Sequence, residues 1–259
     1  MLCTQYNGIN FYNKRPKCDL SELYVRIDAG QDFAPMTLFI EHNIANVRQR
    51  ISAAEKKYQR RENSVHLMAV SKTRSADMIR EVVANGVVDI GENYLQEALD
   101  KIHQLDDLDI SWHFIGPIQA NKTRAIAESF SWVHSVDRLK IAQRLNDQRP
   151  DHLPPLDICL QANVSNEKSK SGVPLNDLKS LAAKVNELPR LRLRGLMTVP
   201  EATDENEKQR AAFALLASVG RELPQCDTLS MGMSGDLEAA IAEGSTIVRV
   251  GTDIFGPRK

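Results

Sequence analysis

From residue 65 onward the chain alternates short apolar, β-branched runs with amphipathic stretches, and this rhythm constrains its fold more than any other feature. The runs fall at 65–71, 87–91, 112–116, 132–136, 156–164, 193–199, 228–231 and 246–251. Helical patterns separate most of them, at 76–85, 94–103, 122–129, 138–148, 175–188, 205–221 and 236–242. Strands joined through helices pair in parallel, because each crossover helix carries the chain back to the edge where the last strand began. Eight such units between Met36 and Lys259 predict an α/β fold, a single closed (β/α)8 TIM-type barrel near the small end of that fold's roughly 200–400-residue range. An open doubly wound sheet competes with it. Eight strands with no Gly-x-Gly-x-x-Gly after the first argue against that alternative. Pro150, Pro154 and Pro155 stiffen the connection before the fifth strand and mark no second domain.

The first 35 residues do not share the rhythm. They hold two of the four cysteines and three of the five tyrosines, with neither a 3.6- nor a 2.0-residue period. After Met36, Ile40, Ile44, Val47 and Ile51 recur at helical spacing, with Thr37 as the expected cap. The expected organisation is therefore 1–35 as an N-terminal extension, and 36–259 as the barrel domain preceded by its own helix. The extension is either disordered and upstream of a start at Met36, the favoured reading, or an ordered arm.

Composition narrows the function. Lys+Arg total 33 against 34 Asp+Glu, a net charge of −1, so no whole-molecule field recruits nucleic acid or an anionic membrane. No apolar run approaches the ~18–20 residues of a membrane span. The start lacks the charged-then-apolar order of a secretory signal. Cys3, Cys18, Cys159 and Cys226 form no C-x-x-C pair, and the six histidines form no ligand pair at helical spacing, which argues against a disulfide scaffold and a structural zinc. A cytoplasmic, enzyme-like protein without metal is the expectation.

Barrel chemistry gathers where strands end on the C-terminal face. Lys72 directly follows the first apolar run. It is either a snorkelling surface lysine or an amine nucleophile. A free lysine has a pKa near 10.4, so at neutral pH only about one in 2,500 is uncharged; desolvation at a barrel mouth lowers that barrier to imine formation. One lysine alone does not decide.

A partner for it lies further along. Five of the thirteen glycines fall within 232–256, Ser234 precedes a short helical pattern as its expected cap, and the last strand ends in Gly251 and Thr252. Glycine lets backbone N–H groups approach a ligand, and the loops after strands seven and eight bind phosphate in many barrels. Ordinary turns are the competing explanation. Arg249, two residues before Gly251, shares its inward side. It either pairs with a carboxylate such as Glu92 or Asp253, or meets a heteroaromatic nitrogen. Pyridoxal phosphate (PLP) offers an aldehyde, a phosphate and a ring nitrogen for these three places.

Seven blocks then stand in order: Ala-Val-Ser-Lys-Thr (69–73), Gly-Glu-Asn-Tyr-x-Gln-Glu (91–97), Trp-His-Phe-Ile-Gly-Pro-Ile-Gln-x-Asn-Lys (112–122), His-Ser-Val-Asp (134–137), Lys-Ser-Gly (170–172), Arg-Gly-Leu-Met (194–197) and the segment 230–256. Together they resemble the YggS/PROSC family of PLP homeostasis proteins from about Met36 to Arg258, leaving 1–35 outside. The resemblance implies a barrel like the N-terminal domain of alanine racemase. It implies PLP on Lys72, the phosphate against Ser234 and the Gly251 and Thr252 amides, and Arg249 near the ring nitrogen. Asn93 and Met197 are weaker candidates for the ring's surroundings, and His113 reads as structural.

Racemisation in that fold needs a second acid/base, a tyrosine from an extra β-domain, and this residue pattern predicts no such domain. Its only tyrosines after Met36 are Tyr58 and Tyr94. The expected function is therefore a monomeric PLP carrier exchanging cofactor with PLP-dependent apo-enzymes, with no residue assigned a catalytic role. A weak amino-acid racemase or decarboxylase is the alternative, and a cofactor-independent Schiff-base aldolase on a sugar phosphate is the remainder.

Overall fold

A computed structural model describes residues 24–25, 34–165 and 171–257. Contacts divide the chain into Met1–Phe39 and Ile40–Lys259. In the first unit Tyr24–Val25 and Ala34–Pro35 form a two-residue antiparallel pair. The rest of 1–33, and with it the expectation of a disordered extension, lies outside the described residues.

In the second unit the apolar runs become eight parallel strands: β1 His66–Val70, β2 Asp89–Glu92, β3 Ser111–Phe114, β4 Trp132–Val136, β5 Leu156–Asn163, β6 Leu191–Met197, β7 Thr228–Ser230 and β8 Ile247–Val250. They are hydrogen-bonded in the order β4-β3-β2-β1-β8-β7-β6-β5, and a β4–β5 pairing closes the ring. The expected (β/α)8 barrel is the observed one. Closure removes both exposed edges that an open sheet would leave. A short strand, Val173–Pro174, adds to the end of β5.

The helices are α1 Met36–Lys57, α2 Ala76–Ala84, α3 Leu95–Gln104, α4 Thr123–Ser129, α5 Leu139–Gln148, α6 Leu178–Val185, α7 Asn206–Arg221, α8 Leu237–Ala242 and α9 Thr252–Phe255. The stripe Ile40, Ile44, Val47 and Ile51 of α1 is buried, as its spacing predicts. The helix already begins at Met36, so Thr37 lies inside it and is not its cap. Close strand packing depends on Gly195: a Cβ there would sit 1.8 Å from the Thr228 carbonyl oxygen on the neighbouring strand. No described helix is long and apolar enough to cross a membrane.

Candidate functional site

Lys72 stands on a turn that the barrel holds from below. Ser71 Oγ donates to Glu92 Oε1 (2.6 Å), and the Thr73 N–H donates to Glu97 Oε1 (2.5 Å) with Thr73 in the left-handed region at φ 64°. Lys101, only 5% exposed, ties these together. Its Nζ donates to Ser71 O (2.7 Å), Glu92 Oε1 (2.6 Å) and Glu97 Oε1 (2.5 Å). All three ammonium protons are thus committed. Burial lifts the Glu92 carboxyl above its usual range, although bonds from Lys101 and Ser71 pull the other way.

This cluster supports a stability prediction. Lys101→Met should cost about 3 kcal/mol, because it leaves a buried carboxylate uncompensated. The cost should shrink in acid. Losing Lys101 should raise the Glu92 pKa of the folded state further, so the deficit is least below the unfolded value of about 4.3, grows from there towards the folded value and levels off above it. Thermal melting of the variant across pH checks it; a pH-independent deficit would mean that the lost lysine stem, and not the charge, accounts for it.

A cavity of about 280 Å³ opens above the turn, and its walls include Lys72, Asn93, Ser234, Arg249, Gly251 and Thr252. Residues from the ends of β1, β2 and β8 and from the loop after β7 are thus brought together as expected. Asn93 points a buried Oδ1 that has no hydrogen-bond partner. Its backbone is fixed by Gly116, where a Cβ would fall 2.1 Å from Asn93 O. Met197 is not among the lining side chains. It is 1% exposed within the barrel wall, in register with Ser230 and Gln161, and Val199 reaches the cavity instead.

Arg249 meets neither carboxylate proposed for it. Glu92 belongs to Lys101, and Asp253 accepts from Arg50 Nη1 at 2.5 Å. Among the described residues the Arg249 guanidinium, 4% exposed, donates only to neutral oxygens: Ser230 O (2.5 Å), Ser230 Oγ (2.8 Å) and Thr198 O (2.8 Å). Burial pulls its pKa down to about 10, with the field of Asp236 opposing. A buried cation without a contacting anion is costly, and a ligand acceptor in the cavity would relieve it.

Ser234 is not a helix cap. Asp236 holds that place before α8, and its Oδ1 accepts from the Met233 N–H (2.5 Å). Ser, Gly and Asp all favour helix starts, and the chain turns twice more before the helix begins. Ser234 Oγ instead accepts a long bond from the Asp253 N–H (3.4 Å), which ties the loop after β7 to α9. The Gly251 and Thr252 amides open α9, where geometry leaves the first N–H groups without intrahelical acceptors. Arg50 of α1 braces both loops through Ser234 O (2.9 Å), Glu238 and Asp253. Nothing in the sequence pattern marks Arg50 except its place on the polar side of α1.

The orphaned Asn93 Oδ1, the unpaired charge of Arg249, the amine of Lys72 and the donors around Ser234 fit PLP in one cavity. No tyrosine, histidine or carboxylate lines it among the described residues. Tyr94 precedes α3 and is 55% exposed, while Tyr58 lies beside Lys57 and Arg210. No cluster of His, Cys, Asp or Glu among the described residues could hold a metal ion.

The family model for the alanine racemase N-terminal domain matches residues 40–259. A pyridoxal phosphate homeostasis protein of Pseudomonas aeruginosa is 60% identical over 220 residues, covering 85% of this chain and 96% of that protein. The Escherichia coli K12 protein of the same name is 52% identical over 226 residues, covering 85% and 97%. The structure of PipY from Synechococcus elongatus, with PLP bound, matches with a TM-score of 0.74 at 36% identity, covering 84% of this chain and 100% of PipY.

Proposed function

This chain belongs to the alanine racemase N-terminal domain family and, within it, groups with the pyridoxal phosphate homeostasis proteins, and from that premise we propose that it binds PLP, carries it as a Schiff base on Lys72 and hands it to PLP-dependent apo-enzymes. When bound, PLP supplies an electrophilic aldehyde and an electron-withdrawing ring. The chain supplies the rest. Lys72 presents the amine from a turn anchored by Lys101 and Glu92. Ser234 Oγ and the Gly251 and Thr252 amides donate to the phosphate. Arg249 donates toward the ring nitrogen and, as a cation, keeps it unprotonated. Asn93 flanks the ring. The protein is proposed to act as a cytoplasmic monomer.

The observation that carries this reading is the cavity wall. It offers an amine, an anion cradle and a cation, yet among the described residues no tyrosine, histidine or carboxylate opposite Lys72. Borohydride reduction of the purified protein, followed by peptide mapping, tests it: a pyridoxyl group on Lys72 supports the reading, and no visible band and no label would overturn it.

Ser234→Ala tests the cradle. One hydroxyl hydrogen bond is worth about 1 kcal/mol, so PLP affinity should fall roughly fivefold. Pyridoxal, which lacks the phosphate, should lose almost nothing. Titrating both ligands decides it, and equal losses would make Ser234 structural.

A further inference from the structure

A file of hydrogen bonds crosses the barrel interior from the cavity to the opposite mouth. Arg249 Nη1 donates to Ser230 Oγ (2.8 Å). Ser230 Oγ lies 2.9 Å from His134 Nδ1, His134 Nε2 lies 2.9 Å from His113 Nδ1, and His113 Nε2 lies 3.1 Å from Asp89 Oδ1. The residues come from β8, β7, β4, β3 and β2. At the far end Asp89 and His113 line a separate cavity of about 440 Å³, at the N-terminal mouth of the barrel. Barrel interiors are ordinarily filled with Val, Ile and Leu. A buried polar file is costly unless every member is satisfied.

Its two ends decide which way it points. Guanidinium can only donate, and an ionised carboxylate can only accept. Burial pushes the Asp89 carboxyl up, but the hydrogen bond from His113 leads the opposing effects, and the carboxyl is held below its usual range. Burial, with the charge of Arg249 adding to it, holds His134 well below the ordinary imidazole value, so its ring is neutral. With His113 donating from Nε2 to Asp89, its bare Nδ1 takes the His134 Nε2–H. The bare His134 Nδ1 takes the Ser230 hydroxyl proton, and Ser230 Oγ takes Arg249. Ser111 Oγ, also 3.1 Å from His113 Nε2, can accept from the same N–H, and every proton of the file has an acceptor. An added proton on His113 Nδ1 would reverse both inner bonds and leave the Ser230 hydroxyl proton without its acceptor.

We infer that Asp89, His113, His134 and Ser230 are positioning residues for Arg249: the file holds its guanidinium in place, with its donors aimed at the ring nitrogen of the bound cofactor. The inference rests on the PLP reading above and deepens it. Other charged or titratable groups near the far end are His66, Arg194 and Asp227, which line the same mouth. Arg194 is held by Asp227 and Asp157 and stacks on Trp132, itself stacked on His113.

The test starts with the ligand-free wild type. Its imidazole ¹⁵N shifts should show His113 protonated on Nε2 alone and His134 on Nε2 alone; the opposite tautomers would overturn the inference without any variant. Asp89→Asn replaces the acceptor-only end with a group that also donates. It should cost about fivefold in PLP affinity, the size of one hydrogen bond, and move the ¹⁵N shift of ring-labelled PLP. Ser230→Ala cuts the file while leaving Arg249 its bonds to Ser230 O and Thr198 O. In that background Asp89→Asn should have no further effect. Distant sites that do not communicate give additive effects. Additive losses, or an unmoved ring-nitrogen shift, would therefore overturn the inference and leave PLP binding intact. Failure of the wild type to attach PLP to Lys72 would instead overturn the reading beneath it.

Discussion

Lys72→Ala should abolish both the visible absorption of the purified protein and the pyridoxyl-peptide recovered after borohydride reduction. The expectation rests on how the turn is built. The cavity places the Lys72 amine with Asn93, Ser234 and Arg249 on its walls, and the backbone beneath is pinned by Glu92, Glu97 and Lys101. No described lysine can stand in. Lys101, directly below, has all three protons committed to Ser71 O, Glu92 and Glu97. The cradle remains in the variant, so phosphate-directed, non-covalent affinity should survive in part, and equilibrium dialysis would detect it. A label of undiminished yield on another lysine would sink the assignment. Lys168 and Lys170, outside the described residues, are the ones to inspect in the peptide map.

Much of this candidate site is legible in the sequence, for a physical reason. A parallel barrel places its chemistry at strand ends, so locating the strands locates Lys72, Asn93, Arg249, Gly251 and Thr252. The apolar runs and amphipathic stretches match the observed elements to within a few residues. What escaped depends on how strands pair. His113 and His134 are ordinary strand histidines until His113 is registered against Trp132, which puts His134, two residues on, on the same inward face. Glu97 and Lys101 resemble a solvated i,i+4 pair until α3 packs them under β1 and β2. Arg50 becomes a brace only when α1 lies against the loops after β7 and β8. Met197 follows from counting strand ends, but only the register shows that it is buried beside Ser230.

Purified protein should show negligible turnover of a panel of free amino acids, yet restore activity to a PLP-dependent apo-enzyme mixed with it. Racemisation takes a proton from one face of the substrate carbon and delivers one to the other, which calls for two positioned groups. Each such group contributes ~10²–10⁴-fold. The cavity offers the Lys72 amine, and no tyrosine, histidine or carboxylate faces it among the described residues. Placed as proposed, Arg249, a cation held by Ser230 and Thr198, would disfavour a protonated ring nitrogen, and that would weaken the ring as an electron sink. The two deficits compound, so any turnover should lie orders of magnitude below the ~10 s⁻¹ of an ordinary enzyme. Transfer asks for less: a cavity open at the barrel mouth and an amine that can release the aldehyde to another lysine. Turnover near the ordinary rate on any amino acid would sink the carrier reading and favour a racemase or decarboxylase. In cells without the protein, a carrier's loss should disturb several PLP-dependent pathways at once, because one cofactor serves many apo-enzymes, whereas a block in a single pathway would point to an enzyme with its own substrate.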